Sequence, residues 1–139
     1  MRTRGPEVVN FLETFTTLTG SYAGRPFIPD PWVREWLYDL YREKPDGSRQ
    51  YRTALLGVPR KNAKSTISSG IGLYELTIHP YDAEPEVICA AADRAQAKIV
   101  HEMAKSSIYR NDELQNALKI NRDEIFNPSA GPRARWKAA

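Results

Sequence analysis

The chain has 139 residues, a length that bounds it to one domain. Hydrophobic residues make up 41% and charged residues 27%, an ordinary globular composition rather than a disordered one. The net charge of +3 is mildly basic and does not mark a committed nucleic-acid binder, and the single cysteine, Cys89, excludes a disulfide framework and suits a reducing compartment. The N-terminal MRTRGPEVVNF lacks the apolar run of a signal peptide, and nothing approaches the roughly 18 apolar residues of a membrane helix. A soluble intracellular protein is expected.

In chain order, residues 7–19 place Val8, Phe11, Leu12, Phe15 and Leu18 at helical spacing, with Gly20 as the stop. A Pro/Gly-rich connection leads to DPWVREWLYDLYRE. There Asp30 is the expected N-cap, Pro31 sits in the first turn, and Trp32, Trp36, Leu37, Leu40 and Tyr41 share one face. The phrase KPDGSRQ is a turn. YRTALLGV, residues 51–58, is an apolar run of strand length, followed by the loop PRKNAKS. A helix over STISSGIGLYELTI puts Ile67, Ile71, Tyr74 and Ile78 in phase. Gly70 and Gly72 within it each cost about 1 kcal/mol, which close packing against a sheet would explain. PEVICAAA reads as a buried strand. DRAQAKIVHEMAKSSI is a helix capped by Asp93, with Ile99, Val100, Met103, Ser107 and Ile108 along one side. NDELQNAL is a short helix, KINRDEIF a third strand, and 127–139 a flexible basic tail. Strands alternating with helices predict an α/β fold with a parallel sheet.

The chemistry-bearing stretch is GVPRKNAKST. The phosphate-loop pattern is G-x-x-x-x-G-K-[ST]; Lys64 and Ser65 fall on its lysine and hydroxyl, while Val58 and Ala63 replace its glycines. A strand before the loop and a helix beginning at the lysine meet the structural context, because a helix N-terminus holds polyphosphate through its free N–H groups and partial positive charge. A position needing positive φ would strain Ala63. The motif alone leaves two readings open, a nucleotide site and a structural strand–turn–helix. The charge excess is local to it: residues 1–70 hold 11 Lys/Arg against 7 Asp/Glu, residues 71–139 hold 9 against 10.

LLGVPRKNAKSTISSGIGLYEL followed by EVICAAADRAQAKIVHEMAKSSI resembles the N-terminal ATPase part of the phage terminase large subunit. That family carries a PRKNGKST-like phosphate loop and a strand ending in small residues before an R-x-Q-A helix. Upstream, GRPFIPDPWVREWLYDLY resembles its PF-x-L-x-P-W-Q segment, and the match runs over about residues 8–120. The resemblance implies a partial P-loop NTPase fold: an N-terminal helical segment at 1–50 with an adenine-motif-like stretch, a partial ATPase core at 51–126 and the tail at 127–139. It implies ATP and Mg²⁺ as cofactors, held by Pro59, Arg60, Lys61, Asn62, Ala63, Lys64, Ser65 and Thr66. Lys64 would contact the β- and γ-phosphates, Ser65 would hold the metal, and Thr66 with the backbone of Asn62 and Ala63 would line the cradle. Arg60 would stabilise the transferring phosphate, and Lys61 carries the least weight. Val33 departs from the family by standing where its P-W-Q has glutamine, a residue associated with reading adenine. The partners implied are double-stranded DNA, the terminase small subunit, the portal protein and further copies of the chain, with no membrane, in the host cytoplasm.

An ATPase of this class also needs a carboxylate pair at the end of an apolar strand. Asp112-Glu113 and Asp123-Glu124 are the pairs present, and neither follows such a run, so both read as solvated charge. The expectation is the first part of an ATPase domain, without room for a two-metal nuclease, that binds nucleotide and hydrolyses it poorly. The alternatives are an interaction module that keeps the fold and binds DNA or another packaging subunit, or a helicase-like P-loop ATPase. His79, His101 and Cys89 do not form a metal set. Arg94 and Lys98 read equally as DNA contacts and as helix-surface charge.

Overall fold

The computed structural model describes residues 2–18, 24–58 and 64–138. Helix α1, Gly5–Phe15, starts with a proline in its first turn and buries Val8, Val9, Phe11 and Leu12 along one stripe. It ends earlier than its apolar spacing predicts. Thr16 turns extended, and the backbone folds into a short antiparallel arm in which Phe27 N–H donates to Thr16 O and Leu18 N–H to Arg25 O. Leu18 therefore joins the core from outside the helix, and Gly20 lies outside the described residues.

Helix α2, Pro31–Leu40, begins after Asp30, whose carbonyl accepts from Val33 and Arg34 N–H while its side chain makes no capping bond. The stripe it buries is Val33, Leu37 and, just past the helix, Tyr41, with Trp36 and Leu40 at the flank. Trp32, predicted on the apolar face, is 37% exposed and lies off the buried stripe.

Residues 51–58 differ most from expectation. They form no strand among the described residues, and Leu55 is 92% exposed. An apolar run becomes a strand only where a sheet accepts its backbone, and no neighbouring strand pairs with it here.

Helix α3, Lys64–Thr77, is buried nearly all round because it lies between α1 on one side and the sheet with a second helix on the other. Its two glycines mark those contacts. A Cβ on Gly70 would stand 2.8 Å from Leu12 and Thr16 of the α1 region, and one on Gly72 would stand 2.5 Å from the indole of Trp136. Ile67 and Tyr74 are buried as predicted, Ile71 is half-buried, and Ile78 falls past the helix end, 40% exposed.

Strand β1, Glu86–Cys89, is followed by α4, Arg94–Tyr109, where Asp93 caps by accepting from Gln96 N–H at 2.9 Å. The packed stripe of α4 is Ala97, His101, Ala104 and Ile108, whose small members let α3 come close. Ile99, predicted on the core side, is 53% exposed. Helix α5, Asp112–Ala117, starts from Asn111, whose side chain accepts from Glu113 and Leu114 N–H. KINRDEIF is two strands rather than one: β2, Lys119–Ile120, and β3, Glu124–Phe126, joined by a tight antiparallel turn. The segment expected as a loose tail instead supplies β4, Arg135–Ala138, an interior strand of the sheet.

The sheet order is β1-β4-β3-β2. The α/β class holds, but only β1 and β4 run parallel, and β3 pairs antiparallel to both β4 and β2. β1 is half exposed rather than buried, because among the described residues no strand pairs with its outer side. One face of the sheet carries Trp136 and its cross-strand neighbour Ile125, both fully buried beneath α3 and α4. The opposite face is laced by Glu124, which pairs with Arg135 at 3.2 Å and Lys137 at 3.7 Å.

Candidate functional site

Of the residues implied to hold nucleotide, Pro59, Arg60, Lys61, Asn62 and Ala63 lie outside the described residues. Lys64, Ser65 and Thr66 are described, and all three stand in the first turn of α3. Lys64 is exposed, Ser65 half-buried and Thr66 buried. Helix geometry leaves the first-turn N–H groups without partners inside the helix, and the first turn of α3 contains no acidic residue to oppose an anion. The residues present thus fit a polyphosphate with its metal: a cation, a hydroxyl and a helix N-terminus in sequence.

The helix presenting this turn is tied down along its length. Ser69 Oγ donates to Thr66 O at 2.8 Å. The Tyr74 hydroxyl donates to Glu7 at 3.1 Å. Glu75 accepts from the Tyr41 hydroxyl and from Arg49, each at 2.8 Å, and Arg49 stacks over the ring of Tyr81 at 4.2 Å. Burial, reinforced by the Glu75 carboxylate, pushes the Tyr41 hydroxyl far above its usual range, so it stays a neutral donor. Apart from the local Ser69–Thr66 bond, none of these hydrogen bonds was readable from local sequence, since each joins residues 26 or more positions apart.

Beside α3, a cavity of about 540 Å³ opens between that helix, α4 and β1, lined by Ser68, Ile71, Glu75, Cys89 and Gln96 among others. Neither Lys64 nor Ser65 borders it.

The two acidic pairs are solvated or engaged with basic side chains. Asp112 and Glu113 are exposed in the first turn of α5. Asp123 lies between Arg94 at 3.5 Å and Lys98 at 3.7 Å, and Glu124 is held by β4. Arg94 and Lys98 are therefore neutralised in part by one carboxylate. Val33, at the position of the family's glutamine, is 2% exposed and belongs to the core rather than to a ligand surface. Among the described residues, no group of three His, Cys, Asp or Glu side chains could hold a metal ion. His101 is buried on Trp136, its Nε2 3.2 Å from the carbonyl of that residue.

The family model for the terminase large subunit ATPase domain matches residues 31–131. The chain belongs to this family. It is 30% identical over 119 residues to the large terminase subunit of Enterobacteria phage HK97, an alignment covering 85% of this chain and 23% of that protein. The crystal structure of the HK97 large terminase superposes with a TM-score of 0.80 at 27% identity, covering 99% of this chain and 27% of the other. The chain thus spans about a quarter of the length of the terminase it matches. No helix of the described residues is long and apolar enough to cross a membrane.

Proposed function

We propose that this terminase ATPase-family chain binds Mg-nucleotide through residues 59–66 and, within a complete packaging motor, couples that binding to movement of double-stranded DNA into a procapsid. The carrying observation is that Lys64, Ser65 and Thr66 open a helix whose first turn is free of acids and whose body is clamped between α1 and the sheet. Lys64 would neutralise the β- and γ-phosphates, and Ser65 would ligate the metal. Thr66 with the backbone of Asn62 and Ala63 would complete the cradle, with Pro59 and Lys61 in the same loop, and Arg60 would face the transferring phosphate. Bound ATP and Mg²⁺ would supply the phosphoanhydride and the charge that offsets its oxygens. The small subunit, the portal protein and further copies of the chain would be partners of that motor, in the host cytoplasm.

The acidic pairs support a limit on this activity. Both are solvated or engaged elsewhere, so the 139-residue chain is read as binding nucleotide with little hydrolysis of its own. Calorimetry with Mg-ATP on the chain and on Lys64→Ala tests the reading. Binding that disappears in the variant supports it. Absence of binding in both favours an interaction module, whose DNA affinity would fall steeply with salt and ignore nucleotide.

A further inference from the structure

Trp136 is the largest fully buried side chain of the protein's described residues, and four elements converge on it. Its six-membered ring lies against the backbone of α3. A Cβ built on Gly72 would stand 2.5, 2.7 and 2.9 Å from Cη2, Cζ3 and Cζ2, so even a methyl group does not fit between helix and ring. The ring itself has little freedom. Its indole N–H donates to Cys89 Sγ of β1 at 3.1 Å. Its backbone is registered between Val87 of β1 and Ile125 of β3, and its carbonyl lies 3.2 Å from His101 Nε2 of α4. The His101 ring meets the indole edge-on at 5.8 Å.

Gly72 shares a helix face with Ser68 and Ser65, at spacings of four and seven residues, so the ring touches α3 on the side that carries Ser65. Seven residues of helix place the two about 10 Å apart along the axis. On a different side, Gly70 is closed against Leu12 and Thr16, which leaves α3 no room to retreat. A helix pinned on two sides moves as a rod, so a change at either pin is transmitted to its first turn.

We infer that Trp136 is a positioning residue for the phosphate-binding turn: through Gly72 its indole sets how α3 sits on the sheet, and thereby where Lys64 and Ser65 stand. The inference rests on the nucleotide reading of that turn. It differs from an ordinary core role in one respect. A core residue lowers stability everywhere when altered, whereas a positioning residue disturbs α3 first and is compensated by reshaping its partner.

Trp136→Phe, Gly72→Ala and the double variant test this with two readouts, amide exchange and Mg-ATP calorimetry. Trp136→Phe is expected to speed exchange at Ser68–Ile71, the first α3 amides bonded within the helix, more than in α1, and to weaken Mg-ATP roughly 10-fold, the scale of one weakened hydrogen bond to a charged group. Gly72→Ala should act in the same direction, and the smaller ring should accommodate the new methyl, so that the double variant recovers affinity relative to additivity. Should Trp136→Phe not fold, Gly72→Ala alone decides through the same two readouts. Uniform acceleration of exchange, or strictly additive effects, overturns the inference. If the wild type binds no Mg-ATP, the nucleotide reading fails, while selective exchange at Ser68–Ile71 still supports the positioning of α3 by Trp136.

Discussion

The carboxylate of Glu43, 3% exposed, lies 3.1 Å from Nε of Arg4, which is 31% exposed. Arg2 reaches the other oxygen at 3.2 Å from the surface, and Arg4 also holds Glu7 at 2.8 Å. The pair fastens the N-terminal arm to the end of α2, where Arg4 N–H donates to Tyr41 O and Glu43 N–H to Arg2 O. Its energetics are asymmetric, because the acid is buried and the bases are not. Arg4→Ala leaves a buried carboxylate with one exposed partner and is expected to cost about 3 kcal/mol. Glu43→Gln leaves only solvated arginines behind and should cost about 1–2 kcal/mol. Arg2→Ala, at a side chain 67% exposed, should stay below about 1 kcal/mol. Urea denaturation of the three variants checks the order, and an Arg4 variant no worse than the Arg2 variant would sink it.

A second prediction concerns the seam between α1 and α3. Thr16 is 1% exposed, and its Oγ1 finds no hydrogen-bond partner among the described residues. The same oxygen lies 2.8 Å from where a Gly70 Cβ would be. Thr16→Val replaces an unsatisfied hydroxyl by a methyl of like size and should be neutral or stabilising, by up to about 1 kcal/mol. Gly70→Ala gains about 1 kcal/mol of helix propensity but drives a methyl into Leu12 and Thr16, for a net loss of about 1–2 kcal/mol. Gly57→Ala, with nothing within 4 Å, is the neutral control. Thermal melts of the set read out the signs directly.

The metal and phosphate roles proposed for the first turn of α3 are separable. Lys64→Ala removes a charge that, on the proposed reading, serves polyphosphate with or without magnesium, so nucleotide affinity should fall at least 10-fold in both conditions. Ser65→Ala removes only the hydroxyl proposed for the metal. Its loss should appear with Mg²⁺ present and vanish in EDTA. Calorimetric titrations with and without Mg²⁺ distinguish the two. A Ser65 variant equally impaired in EDTA would reassign that side chain to the phosphates.

The helices were legible because their signals are local. Asp93 caps α4 through Gln96 N–H, Pro31 opens α2, and the α3 glycines announced close packing before its partners were known. The sheet was less legible because pairing is not a local property. TALLGV has strand composition yet pairs with no strand among the described residues, whereas RWKA, ending a basic Pro/Gly-broken stretch, is drawn into the sheet by Trp136. Helix faces were misjudged for a related reason. Ile99 and Trp32 look like core by hydrophobicity, but α4 packs through Ala97 and Ala104 and α2 through Val33, where close approach favours the smaller side chain. For the proposed site, the motif names the cation and the hydroxyl that open α3. The packing around α3 was not legible, since Leu12, Thr16 and Trp136 are distant in sequence from the glycines they meet.

His101 gives the protein a pH dependence whose sign follows from its surroundings. The side chain is 1% exposed on α4, with Nε2 donating to Trp136 O in the neutral tautomer that the geometry favours. Burial pushes its imidazole below the usual value, and Lys105 on the same helix adds to the shift. The Trp136 carbonyl, Glu102 on α4 and Asp123 in the β2–β3 turn oppose it. In the unfolded chain the ring takes its proton near the ordinary value of about 6.5. As pH falls through that value the unfolded state binds a proton that the native state refuses, and the native state is progressively disfavoured until its own lower value is reached. Above about pH 7 the group contributes no slope. One such proton gives at most about 1.4 kcal/mol per pH unit. Urea midpoints at pH 7.5 and 5.5 should therefore drop more for the wild type than for His101→Gln, which keeps an amide donor for Trp136 O but cannot be protonated. An equal drop in both proteins would assign the acid sensitivity to the carboxylates instead.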